Sequence, residues 1–432
     1  MFRLIAVRMG LTQLAVFYGE GQTRLWRTPA LRWPVVLPVL LVVLSGCAGR
    51  PEGVLRPVIS GTKNTAHVDM LVATTRKQAA DAGELYTGER GTAISLNSIT
   101  VSIPPDGTRK VGEVQWPKRL PANPQKEFAV ADVEKIATES QARAWFRNNR
   151  NAKKQVIIFV HGFNNTYADA VFRFAQIAHD AGTDAAPILF TWPSRASAFG
   201  YLYDKESTNY SRRALEDIIM QTANSPDVGD ITILAHSMGT WLAVEALRGV
   251  AMREKMIPAK VKNVVLASPD IDVDVFRRQL IEMGQERPQF TIFASTKDRA
   301  LEVSRWISGG VNRVGGIDAA PYASVLKQLG ITVIDTSTAV SKDALGHNAF
   351  ADSPEIIGLL GKRLAGQSLE GGSVSLTDHL GIAAIKTADF AGSAARTIVA
   401  APIAVVSPEA RKMLEQGRSG ARAELVDGEI SY

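Results

Sequence analysis

The sequence predicts an α/β protein with a mostly parallel sheet and helices on both faces. Three observations carry this. Six short, almost continuously apolar runs recur from residue 155 onward. Stretches with helical apolar spacing separate them, and the junctions hold Gly, Pro, Asn, Asp and Ser, the residues of turns. A strand that is apolar at nearly every position is buried on both faces, as a parallel sheet between two helical layers requires.

The strands read "QVIIFVHG", "APILFTWP", "DITILAHS", "VKNVVLASP", "QFTIFAST" and "GITVIDTS". Helices are expected near 167–181, 206–224, 238–252, 272–283, 299–307 and 353–364. Ahead of this core, "VDMLVATT" (68–75) and "SITVSIP" (98–104) read as an N-terminal β extension, joined by the polar "TGERGTAIS". "ADVEKIATESQARAWFRNN" (131–149) reads as a surface helix. The domain therefore spans 66–365, and residues 366–432 form a C-terminal tail whose composition does not assign it. No internal repeat is found.

The formal charge of +6 invites a nucleic-acid reading. Five arginines against Glu20 in residues 1–46 account for four of those six charges. The rest of the chain has no long basic run, so no nucleic-acid partner is expected. The arginines precede "WPVVLPVLLVVL" (33–44), which is shorter than the ~20 residues that span a bilayer. A basic region, a short apolar run and small residues describe an export signal over 1–46. "LSGC" (44–47) resembles the lipobox of bacterial lipoproteins, which implies acylation of Cys47, the chain's only cysteine. That resemblance implies a lipid anchor in the cell envelope, and Ala48 after the cysteine favours the outer membrane facing the periplasm. Residues 47–65, rich in Gly and Pro, are then a tether.

"ILAHSMGTWLAVEAL" (233–247) raises the chemical question. A serine between a strand and a helix is lifted above the sheet edge only if the residues two before and two after it are small. Gly239 meets this condition, and Ala235 departs from it by one methyl group. Ser237 is the candidate nucleophile. Its oxyanion would need two backbone N–H donors. Met238 opens the helix, and "FVHGFNNT" (159–166) offers the N–H of Phe163, with Gly162 permitting close approach and His161 shaping the loop. The order serine, acid, histidine leaves His347, in the loop before the final helix, and His379, in the tail; His347 is favoured. Asp298 follows the penultimate strand of the core and is the favoured acid. Asp270, one strand earlier, is the alternative, suited also to capping the next helix or supporting the site. Asp335 ends the last strand and ranks behind both.

The segments "VIIFVHGFNNTYADAVFRFAQIAHD", "ILFTWPSRASAFGYLYDKES", "AHSMG", "ASPDIDVDVF", "STKDRAL" and "GHNAF" together resemble bacterial alpha/beta hydrolases of unknown function, within the esterase/lipase superfamily. The resemblance covers about residues 66 to 364. It implies the alpha/beta-hydrolase fold and a triad of Ser237, Asp298 and His347. Acyl-ester hydrolysis through an acyl-enzyme is then the expected activity, on a small ester or a lipid, by a carboxylesterase or lipase; peptidase and acyltransferase chemistry use the same triad. No metal or other cofactor is implied: there is no H-E-x-x-H and no P-loop. Two segments are placed to shape a pocket: 191–207, with Trp192, Phe199, Tyr201 and Tyr203, and the glycine-rich 306–326, read as a movable lid. The competing class is a non-catalytic envelope protein that uses the fold as a scaffold or binding module.

Overall fold

In the computed structural model, which describes residues 52–318, 326 and 329–365 and the backbone strand at 397–399, three strands come first. They are β1 (Ala66–Gln78), β2 (Tyr86–Ile103) and β3 (Ala129–Ile136), followed by α1 (Glu139–Asn149). Strands and helices then alternate: β4 (Val156–Val160), α2 (Tyr167–Asp180), β5 (Ala186–Thr191), α3 (Tyr201–Asn224), β6 (Ile231–His236) and α4 (Met238–Glu254). β7 (Val261–Ala267), α5 (Val273–Glu282), β8 (Gln289–Ala294), α6 (Arg299–Ile307) and β9 (Ile331–Asp335) continue the pattern. α7 (Ala349–Asp352), α8 (Pro354–Leu364) and β10 (Thr397–Val399) complete the described elements.

The strands form one sheet in the order β10-β9-β8-β7-β6-β4-β5-β1-β2-β3. The stretch from β9 to β1 is parallel throughout, whereas β2, β3 and β10 add antiparallel edges. Alternate side chains feed two cores. Ile158, Ile188, Ile233, Val264 and Phe290 pack toward α3, α4 and α5. Ile157, Phe159, Leu234, Val265 and Phe293 pack toward α2 and α8. After β4 the chain turns one way, to β5, while β6 pairs with the other side of β4. The carboxyl ends of β4 and β6 thus flank the point where strand order reverses, the crevice at which ligands bind in open α/β sheets.

Four expectations need correction. Residues 87–95 are not a connection: they belong to β2, which runs on beside β1 as an antiparallel ribbon with register shifts around Arg76. The ribbon's exposed edge accepts the polar side chains that looked like loop. The segment 131–149 is not all helix: β3 takes its start, and Thr138, with Gln141 in a capping box, begins α1 afterwards. The described part of the tether is packed, with Val54 and Leu55 buried and Val58 N–H bonded to Val130 O at 2.9 Å. The glycine-rich segment is pinned where it is described: Val314 N–H donates to Ile271 O at 2.9 Å, and Gly315 O accepts from Ser295 N–H at 2.8 Å. Gly315 backs onto Pro269 so closely that a β-carbon would lie 2.6 Å from its nitrogen. The signal, Cys47 and nearly all of 366–432, including His379, lie outside the described residues. Among the described residues no helix is long and apolar enough to cross a membrane.

Candidate active site

β6 is apolar and fully buried up to His236, and α4 begins at Met238, so Ser237 alone must make the turn. It does so at φ 51°, ψ −126°, a region that costs a non-glycine residue about 1–3 kcal/mol. The surroundings enforce it. Ser237 N–H donates to Ala267 O at 2.9 Å, and Ser237 O accepts from Thr240 N–H at 3.0 Å. The requirement for small neighbours is visible too. A β-carbon on Gly239 would collide with His161 O and lie 2.7 Å from Val160 O. Ala235, paired with Val160 and Leu266 in the sheet, fits fully buried. One methyl group at that position does not prevent the elbow.

The loop after β4 passes directly beside the serine: a β-carbon on Gly162 would lie 2.9 Å from Ser237 Cβ. Its carbonyls are tied back, since Asn165 Nδ2 donates to Gly162 O at 3.2 Å and to Phe163 O at 2.8 Å. His161 donates from Nδ1 to Gly162 O at 2.8 Å, while its Nε2 accepts from Trp192 N–H at 3.2 Å. Burial, and then the Arg76 charge, push the His161 pKa down to about 3, so the ring is neutral and structural. Among the described residues, no protein acceptor takes the N–H of Phe163 or of Met238.

His347 and Asp298 meet. His347 Nδ1 lies 2.7 Å from Asp298 Oδ2, and the carboxylate is buried at 2% exposure, its other oxygen capping α6 through Leu301 N–H at 3.1 Å. Burial acts to lower the His347 pKa, but the charge and hydrogen bond of Asp298, with Asp270 and Asp343 behind, raise it above its ordinary value. The His347 carbonyl accepts from Ser268 Oγ at 3.2 Å, and its ring stands 4.8 Å from that of His236, the residue before the serine. Burial, then the His347 charge, hold His236 well below its usual pKa. Among the described residues no hydrogen bond joins Ser237 Oγ to His347. Catalytic hydrogen bonds are often long in a free site and shorten around substrate.

Asp270 points elsewhere. Its carboxylate accepts from Ser304 Oγ at 2.6 Å and Tyr201 OH at 3.1 Å, and Arg313 Nε lies 3.3 Å away. It does not cap α5; Asp272 does, through Asp274 N–H at 2.8 Å. Asp335 accepts from Ser337 N–H at 2.8 Å in the turn after β9. Of the four aromatics in 191–207, only Tyr201 reaches the site, edge-on to Phe163 at 5.4 Å. Trp192 is fully buried and stacks on His161, Phe199 is 84% exposed, and Tyr203 lies beneath Arg195.

Residues 138–363 match the family described as "Alpha/beta hydrolase of unknown function (DUF900)", just over half of the chain. The chain belongs to this family. The matched segment of this alpha/beta hydrolase includes Ser237, Asp298 and His347 and begins after β3, later than the resemblance seen in the sequence. No curated protein matches it. Solved structures similar to it include a cell-surface protein of Lactobacillus plantarum WCFS1 assigned as a hydrolase, at 11% identity over 51% of this chain and 95% of that one (TM-score 0.31). Lipase B of Aspergillus fumigatus is 15% identical over 53% of this chain and 58% of its own (TM-score 0.32). An esterase of Rhizomucor miehei is 12% identical over 77% and 90% (TM-score 0.28).

Arg76, on β1, was not singled out from the sequence. It is fully buried and holds the surroundings of the hydrolase site together. Its guanidinium donates to Asn165 O at 2.9 Å, Ser194 O at 3.1 Å, Thr87 O at 3.3 Å and Thr191 Oγ1 at 2.9 Å. Burial lowers its pKa to about 10, so it remains charged. Arg76→Met leaves three carbonyls without this donor, at a cost of roughly 2–4 kcal/mol, and loosens the loop that carries Phe163. The expected outcome is a lowered Tm. An unchanged Tm in a melting experiment would contradict the clamp.

Proposed function

We propose that the protein is a carboxylic ester hydrolase of the carboxylesterase or lipase type, acting through an acyl-enzyme. The observation that carries this reading is the strained elbow of Ser237 on the same sheet edge as the His347–Asp298 pair. His347 takes the Ser237 hydroxyl proton at Nε2 as Oγ attacks the ester carbonyl. Asp298 fixes the tautomer by accepting from Nδ1–H and stabilises the imidazolium. The N–H groups of Phe163 and Met238 receive the oxyanion. Collapse returns the proton to the leaving alcohol, and a water deprotonated by the same imidazole then releases the acid.

The test is hydrolysis of p-nitrophenyl esters of graded chain length by the purified full chain in detergent, beside labelling by a fluorophosphonate. Turnover with labelling supports the reading, and the chain-length profile separates esterase from lipase. A folded protein that shows neither sinks it and leaves the binding-module alternative. We further propose attachment to the cell envelope through acylated Cys47; Cys47→Ser would then release the protein from membranes in fractionation.

The reading also fixes a pH dependence. His347 must be neutral to accept the proton, and its folded pKa is raised. Activity therefore falls as pH drops through that value, and the inflection in kcat/KM lies above 6.5. A profile with its acidic midpoint below the ordinary histidine value of 6.5 would contradict the Asp298 pairing.

A further inference from the structure

Beside the helix that follows Ser237, one positive charge has no ion-pair partner among the described residues. Lys205 lies on α3, one turn after Tyr201. Its Nζ stands 4.0 Å from the centroid of the Trp241 ring, and Trp241 is four residues beyond Ser237 on α4. The ammonium therefore lies over a side chain rooted about one helical turn from Ser237. The charges acting on it are those of Asp270, Arg313 and Asp272. Each is already engaged: Asp270 and Arg313 pair at 3.3 Å, and Asp272 caps α5. Among the described residues no carboxylate and no hydrogen-bond acceptor takes the Lys205 ammonium.

A lysine that merely laid its stem on a tryptophan would keep its head in open water. Here burial lowers the pKa to about 8, so the charge is partly desolvated; the Trp241 face and, without an ion pair, the Asp270 and Asp272 charges offset that loss only in part. An anion delivered by a ligand would complete the pairing. Phe163, Tyr201, Lys205 and Trp241 are each half-buried, and contacts join Phe163 to Tyr201 and Lys205 to Trp241, so together they form a partly open surface next to the first turn of α4. Three of these side chains are aromatic, a wall suited to a short hydrocarbon spacer between a carbonyl at Ser237 and a charge at Lys205.

We propose that Lys205 is a specificity-determining residue that receives an oxyanion group, carboxylate or phosphate, carried by the ester substrate. This deepens the ester-hydrolase reading and rests on it. The preferred substrate is then a hemiester-like molecule, with the scissile ester at one end of a short chain and a negative charge at the other.

The test compares the p-nitrophenyl monoester of adipic acid with p-nitrophenyl hexanoate, which has the same chain length and no charge. At least a tenfold preference in kcat/KM for the charged ester is expected, carried mainly by KM. Lys205→Met should abolish that ratio and Lys205→Arg should retain most of it. A ratio below twofold, or one that persists in Lys205→Met, overturns the proposal. Binding is measured separately from turnover: calorimetric titration of monoethyl adipate into Ser237→Ala, with and without Lys205→Met. An affinity at least tenfold weaker in the double variant supports the anion site even if no ester is hydrolysed, in which case it is the ester reading that fails. Equal affinities overturn the anion site whether or not neutral esters are turned over. Competition then separates the sources of the charge. Stronger Lys205-dependent inhibition by lysophosphatidate than by adipate assigns a phospholipid headgroup, and the reverse order assigns a free dicarboxylate.

Discussion

Ser237→Ala is expected to lower kcat by about 10⁴- to 10⁶-fold while leaving the fold intact. The size follows from the way the proposed groups act as a unit. Without Oγ there is no acyl-enzyme, and the His347–Asp298 pair has no proton to take from the enzyme. What survives is the oxyanion site and substrate binding, which still exceed the uncatalysed reaction. The fold should not respond. The change removes one oxygen from a side chain that is 6% exposed, and the hydrogen bonds that hold the elbow run through the Ser237 backbone. Alanine tolerates the positive φ no better and no worse than serine, so stability should change by less than about 1 kcal/mol. Fluorophosphonate labelling should disappear with the activity. If Ser237→Ala keeps a tenth of the parent's kcat and still takes up the probe, the nucleophile lies elsewhere.

Asp298→Asn is the second large effect, expected at about 10⁴-fold in kcat. The amide can turn its NH₂ toward His347 Nδ1, which forces the ring proton onto Nε2. The ring then presents a donor to Ser237 where an acceptor is needed. Asp270→Asn provides the contrast. That carboxylate bonds to Tyr201, Ser304 and Arg313 rather than to His347, so its loss acts through stability: the buried Arg313 charge is left without its partner. Its kcat should fall at least a hundredfold less than that of Asp298→Asn, accompanied by a lower Tm. The reverse ranking in steady-state kinetics would assign Asp270 as the acid.

How much of this was legible in the sequence depends on distance along the chain. The alternation of apolar runs and helical periods located β4 to α8 within a few residues, because each element carries its own period. Ser237, Asp298 and His347 could be singled out because each follows a strand or ends a loop in a fixed order, and strand carboxyl ends share one edge. The ribbon at 87–95 was missed because an exposed antiparallel edge carries polar residues that look like turn. β3 was read as helix because its half-exposed charges also fit a helical surface. Tyr201 was not separable from Phe199 and Tyr203, since composition says nothing about which ring faces Phe163. Arg76 left no local signal at all: its partners at Asn165 and Ser194 are 89 and 118 residues away, and only the sheet order brings β1 beside β5.

That last contact has a consequence for where the working unit begins. The family match starts at residue 138, and a fragment cut there would still contain Ser237, Asp298 and His347. It would lack β1 and therefore the one guanidinium that fastens both the Phe163 loop and the loop after β5. Gly88 of β2 presses on Ser194 O at a distance no larger residue could match, since a β-carbon there would lie 2.7 Å away, and it would be gone as well. The stretch recognisable by kinship is thus smaller than the stretch that has to fold together. The antiparallel arm braces the loops after β4 and β5, and a shortened chain meant to keep the proposed activity is expected to need it.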